Sequence, residues 1–198
     1  MISVNPNFIS EDEVKILLDH AKSEYSHDQW DWSSPDQPFW NGRAMFANTI
    51  GRFGEIKNDQ RSIKVYETLV DIHKRIRDHI TVTRQLTLPL YTDTFQLVRW
   101  PEGTEQPPHA DAEEPDGSPN PYPWRRYASI IYLNDDYEGG GTYFPNQDME
   151  VIGEPGMMVS FPGTTEWLHG VRQVKNATRY TCAGFWCFDP TMADSLSK

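Results

Sequence analysis

The chain has 198 residues, of which 13% are aromatic and 24% charged, with a net charge of −11. This length can bury a real core in one domain without disulfides or a structural metal. No dense run of Lys and Arg appears, so composition argues against a polyanion-binding surface and with it a nucleic-acid partner.

Residues 1–6 lack the basic start and apolar run of a signal peptide. Residues 10–24 read as a helix. Ser10 and Glu13 form a capping box, and Val14, Leu17, Leu18 and Ala21 recur on one face. Residues 25–58 are irregular and aromatic, holding Tyr25, Trp30, Trp32, Phe39, Trp40, Phe46 and Phe53. A second helix is expected over 59–81, with Ile63, Tyr66, Leu69, Val70, His73, Ile76 and Ile80 as its stripe. His20, His73 and His79 sit on these helices and read as packed histidines.

After Pro89 the pattern changes to strands, at 94–100, 126–133, 142–144, 149–152, 157–161, 170–174 and 179–188. Each is bounded by Gly, Pro, Asn or Asp. Short strands at this spacing with no helices between them imply a mainly β fold, a jelly roll with the N-terminal helices packed on one sheet. We expect one catalytic domain over 1–198, with 1–89 as helical and aromatic support and 90–189 as the jelly-roll core. Residues 101–124 hold seven of the fifteen prolines. A loop of that length is a lid or binding segment, or else a stiff connector. Cys182 and Cys187 share the last strand at an odd separation, hence on opposite faces. Unpaired cysteines fit a reduced, cytoplasmic setting. No segment reaches the length of a membrane-spanning helix.

Three groups in the strand-rich half carry chemistry. His109-Ala110-Asp111 places an imidazole and a carboxylate on one side of an extended strand. His169 lies at another strand edge, while the other four of the six histidines fall in the helical half. Two imidazoles and one carboxylate form a facial triad with open positions, the ligand set of non-haem Fe(II) oxygenases. A structural zinc site would be closed by four ligands. A hydrolytic zinc site stays open on ligand identity alone. Arg179 argues against it, because an inward guanidinium needs an anion, and a bound carboxylate would supply one in bidentate geometry.

Residues 93–189 resemble the catalytic domain of the prolyl 4-hydroxylase branch of the 2-oxoglutarate/Fe(II) dioxygenases. The likeness rests on His109-x-Asp111, Ile131-Tyr132-Leu133-Asn134, Gly139-Gly140-Gly141-Thr142-Tyr143-Phe144-Pro145, Pro155-Gly156 with Phe161, His169-Gly170-Val171 and Arg179-Tyr180. The opening Asn7-Phe8-Ile9-Ser10-Glu11-Asp12-Glu13 is similar too. The resemblance implies that His109, Asp111 and His169 ligate Fe(II). It implies that Arg179 pairs with the distal carboxylate of 2-oxoglutarate and that Tyr132 donates to the same group, a packed core tyrosine being the alternative. O2 is the oxidant, succinate and CO2 are the coproducts, and ascorbate is an accessory reductant. Trp100 stands where some members carry a tyrosine facing the co-substrate, Gln106 replaces an aromatic before the His-x-Asp, and Ala112 replaces one after it. The resemblance points to peptidyl proline as substrate. The aromatic segment either lines its groove or fills the gap between helices and sheet. Arg125 and Arg126 read as solvated. A nucleic-acid demethylase, a free amino acid or small-molecule hydroxylase and a non-catalytic jelly-roll module are the competing readings.

Overall fold

The computed structural model describes residues 1–30, 33–35 and 37–197, apart from the side chain of Tyr25. Trp32 therefore lies outside the described residues. The chain opens with strand β1 (Ser3–Asn5) and helix α1 (Glu11–Lys22). Helix α1 begins at a closed capping box: Glu13 N–H donates to Ser10 Oγ at 3.3 Å, and Ser10 N–H donates to Glu13 Oε2 at 2.8 Å.

Within the stretch expected to be irregular, strand β2 (Ala44–Phe46) leads directly into helix α2 (Ala47–Lys57). Two glycines hide this helix from a propensity reading. In place they allow it to lie close against α3 (Gln60–Thr83). A Cβ at Gly51 would come within 2.8 Å of the Tyr66 ring, and one at Gly54 within 2.9 Å of Ile63. Asp59 caps α3 by accepting from Ser62 N–H at 3.0 Å.

The strands that follow are β3 (Tyr91–Trp100), β4 (Gln106–His109), β5 (Tyr127–Tyr132), β6 (Glu138–Gly139), β7 (Thr142–Phe144), β8 (Met149–Val151), β9 (Met158–Pro162), β10 (His169–Val171), β11 (Val174–Lys175) and β12 (Arg179–Cys187). One sheet runs β1-β9-β5-β12-β3-β2, a second β4-β10-β7-β8, and β11 pairs with β6. All pairings are antiparallel. The architecture is the expected jelly roll, mostly β with helices on one sheet, although the sheets do not close into a barrel. Strand β4 contains Pro107 and Pro108, and its place at a sheet edge tolerates their missing N–H groups.

Alternation along β12 separates two environments. Cys182 and Trp186 face the helices, in a core with Leu17, Leu69, Ile72, Ile76, Phe95 and Leu97. Arg179, Thr181, Ala183 and Phe185 face the gap between the sheets. Trp30 belongs to the helix-side core, with the Arg99 guanidinium 4.6 Å from its ring. Trp40 goes the other way, 5.4 Å from Trp100 at the inter-sheet cavity. The aromatic segment thus both fills the helix-side core and lines the inter-sheet cavity. Cys182 and Cys187 are free and buried. Among the described residues no helix is long and apolar enough to cross a membrane.

His73 is fully buried, stacked on Trp186 at 5.1 Å, and its Nε2 meets Thr92 Oγ1. Burial, helped by Arg77 and Lys74, pushes it down from 6.5 to about 4, and burial lowers His20 too. Between pH 6.5 and 4 the unfolded chain therefore binds protons that the folded chain refuses, so stability falls as pH falls through this window. Urea midpoints at pH 7 and pH 5 check this. The drop should be smaller in His73→Gln than in the parent.

Candidate active site

His109 ends β4 and His169 opens β10, and the two are direct cross-strand partners with ring centroids 4.4 Å apart. Asp111 follows on the loop. Its N–H donates to Gly163 O at 3.0 Å, and the Ala112 N–H donates to the same carbonyl at 2.9 Å. Position 163 must be glycine for this approach, since a Cβ there would lie 2.8 Å from Arg125 O and 3.3 Å from Asp111 Cβ. A second tie comes from Glu113 Oε2, which accepts from Thr165 N–H at 2.9 Å and from Thr165 Oγ1 at 3.0 Å. It joins the loop after His-x-Asp to the turn that precedes His169.

One ligand atom from each of His109, Asp111 and His169 lies within 4.8 Å of the others. His109 Nδ1 is 3.1 Å from Pro107 O, and His169 Nδ1 is 3.3 Å from Trp167 O. Each Nδ1 is thereby the N–H donor, which leaves Nε2 with a free lone pair. His169 is pressed against Phe161, with ring centroids 4.4 Å apart. Burial pushes its pKa down to about 4 despite the Asp111 charge. It is neutral near pH 7, as a metal ligand must be. Asp111 Oδ2 is buried without a hydrogen-bond partner, 3.8 Å from His169 Nε2. Acceptors that face one another with no proton between them call for a cation.

Deeper in the gap lies Arg179, fully buried and opposite Trp100 in the β3–β12 register. Its Nη2 donates to Thr142 Oγ1 at 3.1 Å, while Nε and Nη1 have no partner. A buried guanidinium without a carboxylate is costly, so this end of the cavity suits an anion. Tyr132 stands behind Thr142 and donates to its Oγ1 at 2.8 Å. The resemblance implies a direct bond from Tyr132 to the co-substrate; in this structure the hydroxyl donates to Thr142, and Thr142 lines the cavity.

The mouth opens into a groove of about 290 Å³ lined by Gln37, Trp40, Gln106, Asn120, Tyr122 and Arg125. Arg125 is not solvated as expected. Its Nε is 2.7 Å from Asp93 Oδ2, and its guanidinium lies 3.8 Å from the Phe185 ring centroid and 4.0 Å from that of Tyr122. Arg126 is exposed.

The sequence profile of the 2OG-Fe(II) oxygenase superfamily matches residues 95–187. The chain belongs to this superfamily. It is 38% identical to human prolyl 3-hydroxylase 1 over 197 residues, covering 83% of this chain and 26% of that protein. Rat prolyl 3-hydroxylase 2 is 33% identical over 178 residues, covering 79% of this chain and 25% of that protein. The chain thus spans about a quarter of the length of the curated relatives it matches. Among solved structures, the viral collagen prolyl hydroxylase of Paramecium Bursaria Chlorella virus-1 in complex with 2OG superimposes with a TM-score of 0.66 at 16% identity, over 95% of this chain and 96% of that one. A prolyl hydroxylase from Trichoplax adhaerens, in complex with a hypoxia inducible factor peptide fragment, gives 0.67 at 16% identity, over 94% and 83%. These two likenesses concern the fold.

The donor set of this chain fits both of the superfamily's groups. Two neutral imidazoles and a carboxylate suit Fe(II) with coordination positions left open, and the partnerless N–H groups of Arg179 suit a carboxylate. Thr142 and Gly163 escaped the sequence reading. Thr142 reads as the start of the strand 142–144 with no role in the site, and nothing in the sequence singles out Gly163. Their roles arise from what the two sheets bring opposite them.

Proposed function

We propose that this chain is an Fe(II)- and 2-oxoglutarate-dependent oxygenase that hydroxylates proline within a peptide or protein. His109, Asp111 and His169 hold the metal. Arg179, through Nη1, holds the distal carboxylate of the co-substrate, with Thr142 beside it and Tyr132 fixing Thr142 from behind. Bound there, Fe(II) with 2-oxoglutarate and O2 supplies the oxidation, which yields succinate and CO2 as a substrate C–H becomes C–OH. The protein's part is to set the ligand angles, to fix the co-substrate's remote end, and to shield the reacting face with Trp40, Trp100, Phe161 and Val171. The single observation that carries this reading is the convergence of three ligand atoms within 4.8 Å at one end of a cavity whose other end holds a buried, uncompensated guanidinium.

Prolyl hydroxylase names recur among the relatives, and the groove at the mouth presents Trp40, Tyr122 and Pro121 beside the amides of Gln37 and Asn120. Aromatic-lined grooves take up extended proline-containing chains, which are preformed for binding, and the amides can satisfy a peptide backbone. Nucleic acid is a poor fit, because the groove's arginine is paired with Asp93. Residues 90–189 carry the chemistry, with 1–89 as their support. A reducing, cytoplasmic setting suits the two unpaired cysteines.

Reconstitution with Fe(II) and 2-oxoglutarate under anaerobic conditions, followed by exposure to O2 over a peptide array, tests the proposal. Proline-containing peptides should gain one oxygen in step with succinate. Succinate production no greater than that of a triad variant would overturn the assignment, and mass gain confined to proline-free peptides would overturn the substrate.

A further inference from the structure

Tyr137 lies on the segment between β5 and β6. Its ring is half-buried against Val98, Trp100, Val171 and Val174, while its phenol oxygen is fully buried and has no hydrogen-bond partner. Gly140, at φ +62, marks where it sits. A Cβ there would lie 2.8 Å from the Tyr137 ring and 3.1 Å from Arg179 Cδ. Tyr137 and the arginine stem are therefore neighbours across a glycine that leaves room for both. Arg179 has two donor groups free, Nε and Nη1. An unfilled acceptor thus stands beside unfilled donors in a site from which solvent is excluded. Burial pushes the phenol up, opposed by the charge of Arg179 and by a hydrogen-bonding interaction with that side chain, so it stays protonated beside the guanidinium.

Building on the function proposed above, we infer that Tyr137 is a positioning residue for the co-substrate: its phenol oxygen takes the Nε–H of Arg179 and fixes the guanidinium plane so that Nη1 faces the distal carboxylate of 2-oxoglutarate. Thr142 holds Nη2 from the other side, so the fork is gripped at two corners and only the ligand-facing corner is left. A guanidinium free to swing about its stem must be ordered at each binding event, and fixing it beforehand removes that cost. The Gly139-Gly140 turn then has a purpose beyond closing a hairpin, since it admits the tyrosine to the arginine.

The test is calorimetric titration of Mn(II)-loaded protein with 2-oxoglutarate and with 2-oxobutanoate, which lacks the distal carboxylate. Tyr137→Phe preserves the ring and its packing, and its thermal midpoint should stay near that of the parent. It should bind 2-oxoglutarate about tenfold more weakly, as expected when a hydrogen bond to a charged group is lost, and bind 2-oxobutanoate as the parent does. In turnover the loss should fall on KM for 2-oxoglutarate, with kcat unchanged. Equal weakening toward both ligands would mean a merely structural role and overturn the inference, as would a 2-oxoglutarate affinity within twofold of the parent. A parent protein that binds no 2-oxoglutarate would instead overturn the co-substrate assignment on which the inference rests.

Discussion

His169→Ala is expected to abolish Fe(II)-dependent succinate production while leaving a folded protein. Loss of partners that merely orient a ligand costs 10–100-fold in affinity or activity, so removing one of three ligands should exceed about 100-fold. The fold should survive for a local reason. The imidazole sits at a strand end between Phe144 and Phe161, with ring centroids at 6.0 and 4.4 Å, and makes no side-chain hydrogen bond that the core needs. Its removal leaves a small void between aromatic rings and also takes a polar ring out of a buried place, and these effects oppose one another. Succinate measured by NMR at saturating 2-oxoglutarate, beside a urea melt, separates the chemistry from the fold. Turnover equal to the parent's would remove His169 from the metal site.

How much of this was legible beforehand varied with the kind of signal. Helix α1 was readable because Ser10 and Glu13 state its start within four residues. The outlines of β5, β7 and β12 were readable because their turn residues and alternation are local. Helix α2 was not, since Gly51 and Gly54 weaken its pattern and only contact with Tyr66 and Ile63 gives them a reason. Strand β4 was hidden by Pro107 and Pro108, which are harmless only because β4 is an edge. In the site, the grouping of His109, Asp111, His169 and Arg179 could be proposed from residue types that have few uses inside a β-rich domain. Thr142 could not, because a threonine has many. Arg125 looked like a surface residue because it lies in a loop and its partner Asp93 sits on β3, 32 positions earlier. What the sequence conceals is thus mostly the pairing of common residues across distant segments.

Arg179→Ala should weaken 2-oxoglutarate binding by about 2–5 kcal/mol, the usual loss for a buried, hydrogen-bonded charge pair, or roughly 30- to 5,000-fold. Fe(II) affinity should change little, since none of the three ligands touches the guanidinium. The ligand-free proteins provide an independent sign. In the parent, Arg179 is buried with two donor groups unfilled and no carboxylate partner. Removing such a charge relieves a desolvation cost, so the ligand-free variant should melt no lower than the parent apart from the packing lost with the side-chain stem. With 2-oxoglutarate present the order should reverse, because only the parent gains stability from the ligand. Thermal melts of both proteins with and without 2-oxoglutarate therefore read the arginine's role without turnover. Arg179→Lys should fall between them, keeping the charge but losing the planar fork that reaches Thr142 and the ligand together. If the ligand raises both melting points equally, or if affinity moves by less than twofold, the guanidinium does not seat the co-substrate, and its burial opposite Trp100 would need another explanation.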